Sequence, residues 1–179
     1  KINKFFIDQG LNYSSIGMQA HMQSDDNVMS EEQLWNQIED YAILGKNIQF
    51  TEITVTSSKR FKNWKDHQVF LKKRDSIIKN GGEYDLPSLP SFEDFQSDYL
   101  KDFYTLAFSH PSVSSITIWN LTDQNAWRGH AGGVLFKDLS EKKSFLTLEN
   151  LIKNRWSTKI TKELNLNNEF SFRGFYGLY

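Results

Sequence analysis

A repeating rhythm of helix-like and strand-like segments constrains this chain more than any other feature. Residues 2–9 (INKFFIDQ) read as the end of a helix, and Gly10 is a good stop. Ser15 to His21 then reads as a short strand, with Ile16, Met18 and Ala20 on one face and Gly17, Gln19 and His21 on the other. After a polar loop, Ser30-Glu31-Glu32-Gln33 is a capping box. It opens a helix whose apolar stripe is Leu34, Ile38, Tyr41 and Ala42, and Gly45 ends it. Asn47 to Val55 is the next strand. Helix, strand, helix and strand joined by short connections predict α/β units on a parallel sheet.

The second strand carries one acid. Strict alternation sets Ile48, Phe50, Glu52 and Thr54 against Gln49, Thr51, Ile53 and Val55, so Glu52 shares a face with Phe50. A carboxylate there is costly unless partners hold it. Either the strand lies at a sheet edge and Glu52 reaches water, or Glu52 has partners and a purpose.

Past Val55 the rhythm breaks. Residues 57–90 hold a basic run (Lys59, Arg60, Lys62, Lys65), a helix around 64–79, Gly81-Gly82, and prolines at 87 and 90. This is expected to be a long, decorated connection whose charges form a solvated face. Ser91-Phe92-Glu93-Asp94 is expected to cap the next helix, with a core stripe of Phe92, Phe95, Tyr99, Phe103 and Leu106. His110-Pro111 ends it, and His110 reads as structural. Ser114 to Asn120 is a third strand, with Ile116 and Ile118 facing one way and Thr117 and Trp119 the other. The loop Arg128 to Gly133 has neither phosphate-loop spacing. Residues 134–139 are short and extended. A last helix over 143–155 is expected on Phe145, Leu148, Leu151 and Ile152, then a β-hairpin over 158–179 turning at Leu164 to Asn168.

Composition excludes several functions. A net charge of -1 leaves no electrostatic footprint for nucleic acid or an anionic membrane. No apolar run is long enough for a spanning helix. With no Cys, disulfides, thiolate nucleophiles and Cys-ligated metals are excluded. Much of the 14 Phe, 7 Tyr and 5 Trp is expected in the core, and aromatics in a cleft also suit sugar rings. Lys1 and the lack of a signal-peptide pattern lead to the expectation that the chain starts inside a longer gene product.

The three strands end alike, in Gln19 and His21, in Glu52, and in Trp119 and Asn120. In parallel α/β folds these ends and the loops after them build the site. Ile16 to His21, Thr51-Glu52 and Ile116 to Trp127 resemble the sixth, seventh and eighth strands of family-10 glycoside hydrolases, the endo-β-1,4-xylanases. Phe108 to Val113 resembles the segment leading into that eighth strand, and Phe170 to Gly177 a C-terminal extension found in part of the family.

The resemblance implies the C-terminal part of a (β/α)8 barrel over residues 1–157, with a hairpin extension over 158–179 packed on it. It implies a retaining endo-xylanase that uses no metal or organic cofactor. Glu52 would be the nucleophile, and Gln19, His21, Trp119, Asn120, Trp127 and Arg128 would contact xylan. For Asp123 and Arg128 a loop-bracing role stays open beside sugar contact. A secreted, periplasmic or cell-surface location is implied as well.

The resemblance also shows what is missing. A retaining glycosidase needs a second carboxyl group about 5–5.5 Å from the first. In this family it lies in an Asn-Glu motif on the fourth strand. Asn168-Glu169 falls in the expected hairpin turn, and Glu93, Asp98 and Glu149 fall on helix faces. The acid is therefore expected from an N-terminal part of the barrel, which becomes this chain's expected partner. A non-catalytic carbohydrate-binding relic of the same fold is the alternative. A small α/β scaffold domain without a sugar link is a third reading.

Overall fold

The computed structural model describes residues 2–161, 163 and 171–175. Three parallel strands, β1 (Ser15–Met22), β2 (Asn47–Val55) and β3 (Val113–Ile118), form one sheet in the order β1-β2-β3. Helix α1 (Ile2–Asp8) precedes β1, and α2 (Glu31–Ala42) joins β1 to β2. Between β2 and β3 lie α3 (Trp64–Lys79) and α4 (Pro90–Ser109), and α5 (Lys143–Asn150) follows β3. Helices α2 and α4 pack on the sheet, and α5 packs on α4. This is part of a (β/α)8 barrel: parallel strands inside, helices outside.

Local chemistry explains most boundaries. The Ser30 side chain accepts from the Gln33 backbone N–H, and Gln33 reaches back to the Ser30 N–H. Gly45, at φ 63°, makes the left-handed turn that releases the chain into β2. Asn63 caps α3 through the Asp66 N–H. Helix α4 starts at Pro90 with Leu89 before it, rather than at a Ser91 cap. Proline suits the first helical position because its missing N–H would be unpaired there anyway.

The core lies between sheet and helices. Ile16, Met18, Ala20 and Met22 of β1 and Ile48, Phe50, Ile53 and Val55 of β2 join Leu34, Ile38, Leu100, Phe103 and Ala107. Phe50 is fully buried and meets Phe103 edge-on at 4.9 Å; burying such a ring contributes about 1.5–3 kcal/mol. Gln96 of α4 closes the end of β2, donating to the Val55 and Gly133 carbonyls and accepting from Ser144.

Strict alternation fails within β2. Its helix-facing residues are Ile48, Phe50, Ile53 and Val55, so the phase changes across Thr51-Glu52. The pairing shifts there too: Met18 faces Phe50 but Gln19 faces Glu52, and the β2–β3 register slips between Phe50 and Ile53. This bulge turns Glu52 away from Phe50, which corrects the face read from the sequence. β2 is also the central strand, not an edge.

Other expectations change as well. The third strand ends at Ile118. The last helix gives way to a wider π turn at Leu151–Arg155, which leaves Ile152 exposed. Arg60 is not a solvated charge: it pairs with Asp25 at 2.9 Å and lies over the Phe95 ring at 3.9 Å. The turn expected at Leu164 to Asn168, with Asn168-Glu169, lies outside the described residues. Residues 158–161 and 171–175 on either side have no regular secondary structure, although Phe175 N–H donates to Thr158 Oγ1. No described helix is long and apolar enough to cross a membrane.

Candidate active site

The bulge brings Glu52 to the sheet face opposite the helices, next to the polar side of β1. Each of its oxygens receives one partner. Gln19 Nε2 donates to Oε1 at 2.8 Å, and His21 Nε2 lies 3.2 Å from Oε2. The other ring nitrogen, His21 Nδ1, lies 3.0 Å from Thr54 Oγ1. A carboxylate has no proton to give, so a neutral His21 must carry its hydrogen on Nε2. Nδ1 is then the acceptor, and the Thr54 hydroxyl donates to it. Thr54 is fully buried and selects the tautomer in which His21 donates to Glu52. Burial lowers the His21 pKa; the hydrogen bond to Glu52 and its charge oppose this, and Arg128 adds to the lowering. His21 is therefore neutral near pH 7.

Two indoles frame this cluster. Trp119 follows β3 directly, and its backbone N–H donates to the Ile53 carbonyl, one residue beyond Glu52. Trp127 packs on His21 at 4.6 Å between ring centroids, and Trp119 stands edge-on to both rings at 6.5 Å. Trp119 is 45% exposed, so it presents aromatic surface outward. The Arg128 guanidinium lies over Trp127 at 4.1 Å.

The loop bearing these groups is braced from within. Asn120 Oδ1 accepts the Trp127 backbone N–H. Asp123 is buried; it accepts from Gly133 N–H and pairs with Lys142 Nζ at 2.6 Å. Lys142 also donates to Ser57 Oγ and the Gly133 carbonyl, so all three of its hydrogens are used. Burial raises the Asp123 pKa and lowers that of Lys142, and their mutual attraction works against both shifts. At Gly133 a Cβ would fall 2.3 Å from the Thr122 carbonyl carbon, so only glycine fits this crossing.

Gln19, His21, Glu52, Trp119, Trp127 and Arg128 thus come together around one carboxylate. Asn120 shapes the backbone of the same loop, and Asp123 braces it. His110 is buried at the far end of α4, where its Nδ1 accepts from Ser112 N–H and its ring meets Trp35. Sequence reasoning passed over Thr54, Lys142 and the buried pair His67 and His130. Thr54 had a signal, being two residues past Glu52. Lys142 had none, since nothing separates it from exposed Lys143.

A concavity of about 670 Å³ lies elsewhere, between Asp85–Ser88 and the loop of His130, Ala131 and Phe136. The Glu52 face is open, as expected for a barrel interior seen from three strands.

The model of Glycosyl hydrolase family 10 matches residues 1–150. Endo-1,4-beta-xylanase 3 of Arabidopsis thaliana is 25% identical over 171 residues, which is 96% of this chain and 18% of that protein. Anti-sigma-I factor RsgI6 of Acetivibrio thermocellus is 34% identical over 97 residues, 54% of this chain and 12% of that protein. Among solved structures, xylanase 10B from Thermotoga maritima matches 86% of this chain and 40% of its own, with a TM-score of 0.61 at 16% identity. A GH10 endoxylanase from a sugarcane soil metagenome matches 84% and 43%, with a TM-score of 0.61 at 20% identity. The chain thus spans less than half of each of these proteins.

Proposed function

This chain belongs to glycosyl hydrolase family 10, and from that premise we propose that Glu52 is the nucleophile of a retaining endo-1,4-β-xylanase. The observation that carries the proposal is the doubly held carboxylate, with one N–H on each oxygen, beside two partly open indoles. Glu52 attacks the anomeric carbon, the glycosidic C–O bond breaks, and the leaving oxygen takes a proton from a second carboxyl group. Water then attacks the glycosyl-enzyme, giving its proton to that same group. The second group is expected from barrel strands outside this chain, in an Asn-Glu motif. Gln19 and His21 keep Glu52 oriented, and Trp119 and Trp127 supply faces for the sugars beside the cleaved bond. Arg128 stands at the same wall.

The test is Glu52→Gln in the full-length protein that carries this chain. Release of reducing sugar from xylan should fall roughly 10⁴-fold or more, the scale of losing a covalent nucleophile. The circular dichroism spectrum should stay unchanged. Undiminished hydrolysis by a folded variant would overturn the assignment.

One observation favours a second reading, a carbohydrate-binding relic: a relative 34% identical over 97 residues is named an anti-sigma factor, not a hydrolase. Retained xylan binding with no sugar release by the unaltered protein would select it.

A further inference from the structure

The long β2–α4 connection does more than span a gap. It holds Trp64 at the mouth of the site. Trp64 opens α3 and is 47% exposed, whereas His67 and Phe70 of the same helix are buried. An exposed tryptophan alone means little, but this one is fixed from three directions. Its backbone N–H donates to Asp26 Oδ2 at 3.1 Å, in the loop after β1. Asp26 is itself held by Ser24 Oγ at 2.6 Å, and Asp25 N–H donates to the Phe61 carbonyl beside it. The indole meets the His67 ring edge-on at 5.0 Å. The Arg128 guanidinium, from the loop after β3, lies over the Trp64 ring at 5.7 Å while it also covers Trp127.

A continuous line of contacts therefore leads outward from the carboxylate: Glu52, His21, Trp127, Arg128, Trp64. Arg128 holds its place in that line with a left-handed backbone, φ 58°, which non-glycine residues rarely adopt. Among the described residues Arg128 has no carboxylate partner, so its N–H groups are left for neutral acceptors. An immobilised indole beside free N–H donors is what a pyranose ring requires: an apolar C–H face to stack and hydroxyls to bind.

We infer that Trp64 is a stacking platform for a further sugar unit of a β-1,4-linked chain, beyond the units that touch Glu52. The inference rests on the glycan reading given above and deepens it: the site recognises an extended chain, and the inserted helix supplies the added contact.

The experiment uses the full-length protein with Glu52→Gln to prevent turnover, and calorimetric titration with linear β-1,4-xylo-oligosaccharides from disaccharide to hexasaccharide. Trp64→Ala should weaken the longest ligands by about tenfold, the loss of one aromatic stack. The disaccharide should be bound as before, and Trp64→Phe should restore most of the loss. Equal affinity of parent and Trp64→Ala at every length would overturn the inference. A uniform loss that includes the disaccharide would also overturn it, since Trp64 would then only position Arg128. If the parent binds none of these oligosaccharides, the glycan reading itself falls, and the inference with it.

Discussion

Glu52 stands where a carboxylate would ordinarily be a liability, and three side chains resolve the conflict. Gln19 and His21 each place a donor on one oxygen, and Thr54 sets which nitrogen of His21 can donate. In Thr54→Val a neutral imidazole is free to move its hydrogen to Nδ1, which turns a lone pair toward the carboxylate. For the hydrolysis proposed above, the turnover number should fall about 5–30-fold at neutral pH, the equivalent of one buried hydrogen bond of about 1–2 kcal/mol. Thr54→Ser should restore it. The defect should shrink as pH falls through the lowered pKa of His21, because the imidazolium donates from both nitrogens. A pH profile parallel to that of the unaltered protein would show that Thr54 acts only through packing.

At the scale of elements, α3 is docked by an unusual contact. His67 of α3 and His130 of the loop after β3 are both buried, with their Nε2 atoms 3.0 Å apart. Phe61 stacks on His67 at 5.2 Å, and Phe70 lies 5.6 Å from His130. One Nε2 must donate and the other accept, so the accepting ring has to be neutral, and burial keeps the donating ring neutral as well. Burial first, then Arg128, pushes His67 down to about 4. Burial, His67, Arg128 and Arg74 push His130 down to about 3, against the attraction of Asp85. Both folded-state values lie below the unfolded value near 6.5. Between these values the unfolded chain binds protons that the folded chain does not, so this stability is present above about pH 6.5 and lost as pH falls toward 4 and 3. Each histidine adds up to about 1.4 kcal/mol per pH unit to the slope. Denaturant unfolding at stepped pH should show the loss, and His130→Gln should flatten it. An unchanged slope in that variant would contradict the account.

At the scale of the whole molecule, one buried ammonium ties distant parts of the chain together. Lys142, just before α5, reaches Ser57 after β2, Asp123 after β3, and the Gly133 carbonyl. Removing one partner of such a pair leaves the other charge buried and alone. Lys142→Met should therefore cost about 3–5 kcal/mol. Replacing both, Lys142→Met with Asp123→Leu, should cost less than the single change, and equilibrium unfolding of both variants measures the difference. Since the same pair braces the loop bearing Trp119 and Trp127, the stability of the molecule and the shape of its site are linked.

The order of elements, the bounds of α3, the capping box of α2, the core faces of β1 and the family resemblance were all legible in the sequence. All but the resemblance depend on residues a few positions apart, which period and turn chemistry report directly; the resemblance rests on whole motifs and their order along the chain. Gln19, His21, Glu52 and Trp119 were legible as a set because each lies toward the C-terminal end of a strand or just past it, whereas Trp127, well beyond β3, was implied by the resemblance. Only the tertiary structure decided the bulge that turns Glu52 away from Phe50, since a register shift depends on what the neighbouring strand pairs with. It alone joined Lys142 to Ser57 and His130 to His67, groups separated by 85 and 63 residues. Burial and pairing at such separations are properties of the packed chain, and no local pattern distinguishes Lys142 from Lys143 or Trp64 from any other helix-opening aromatic.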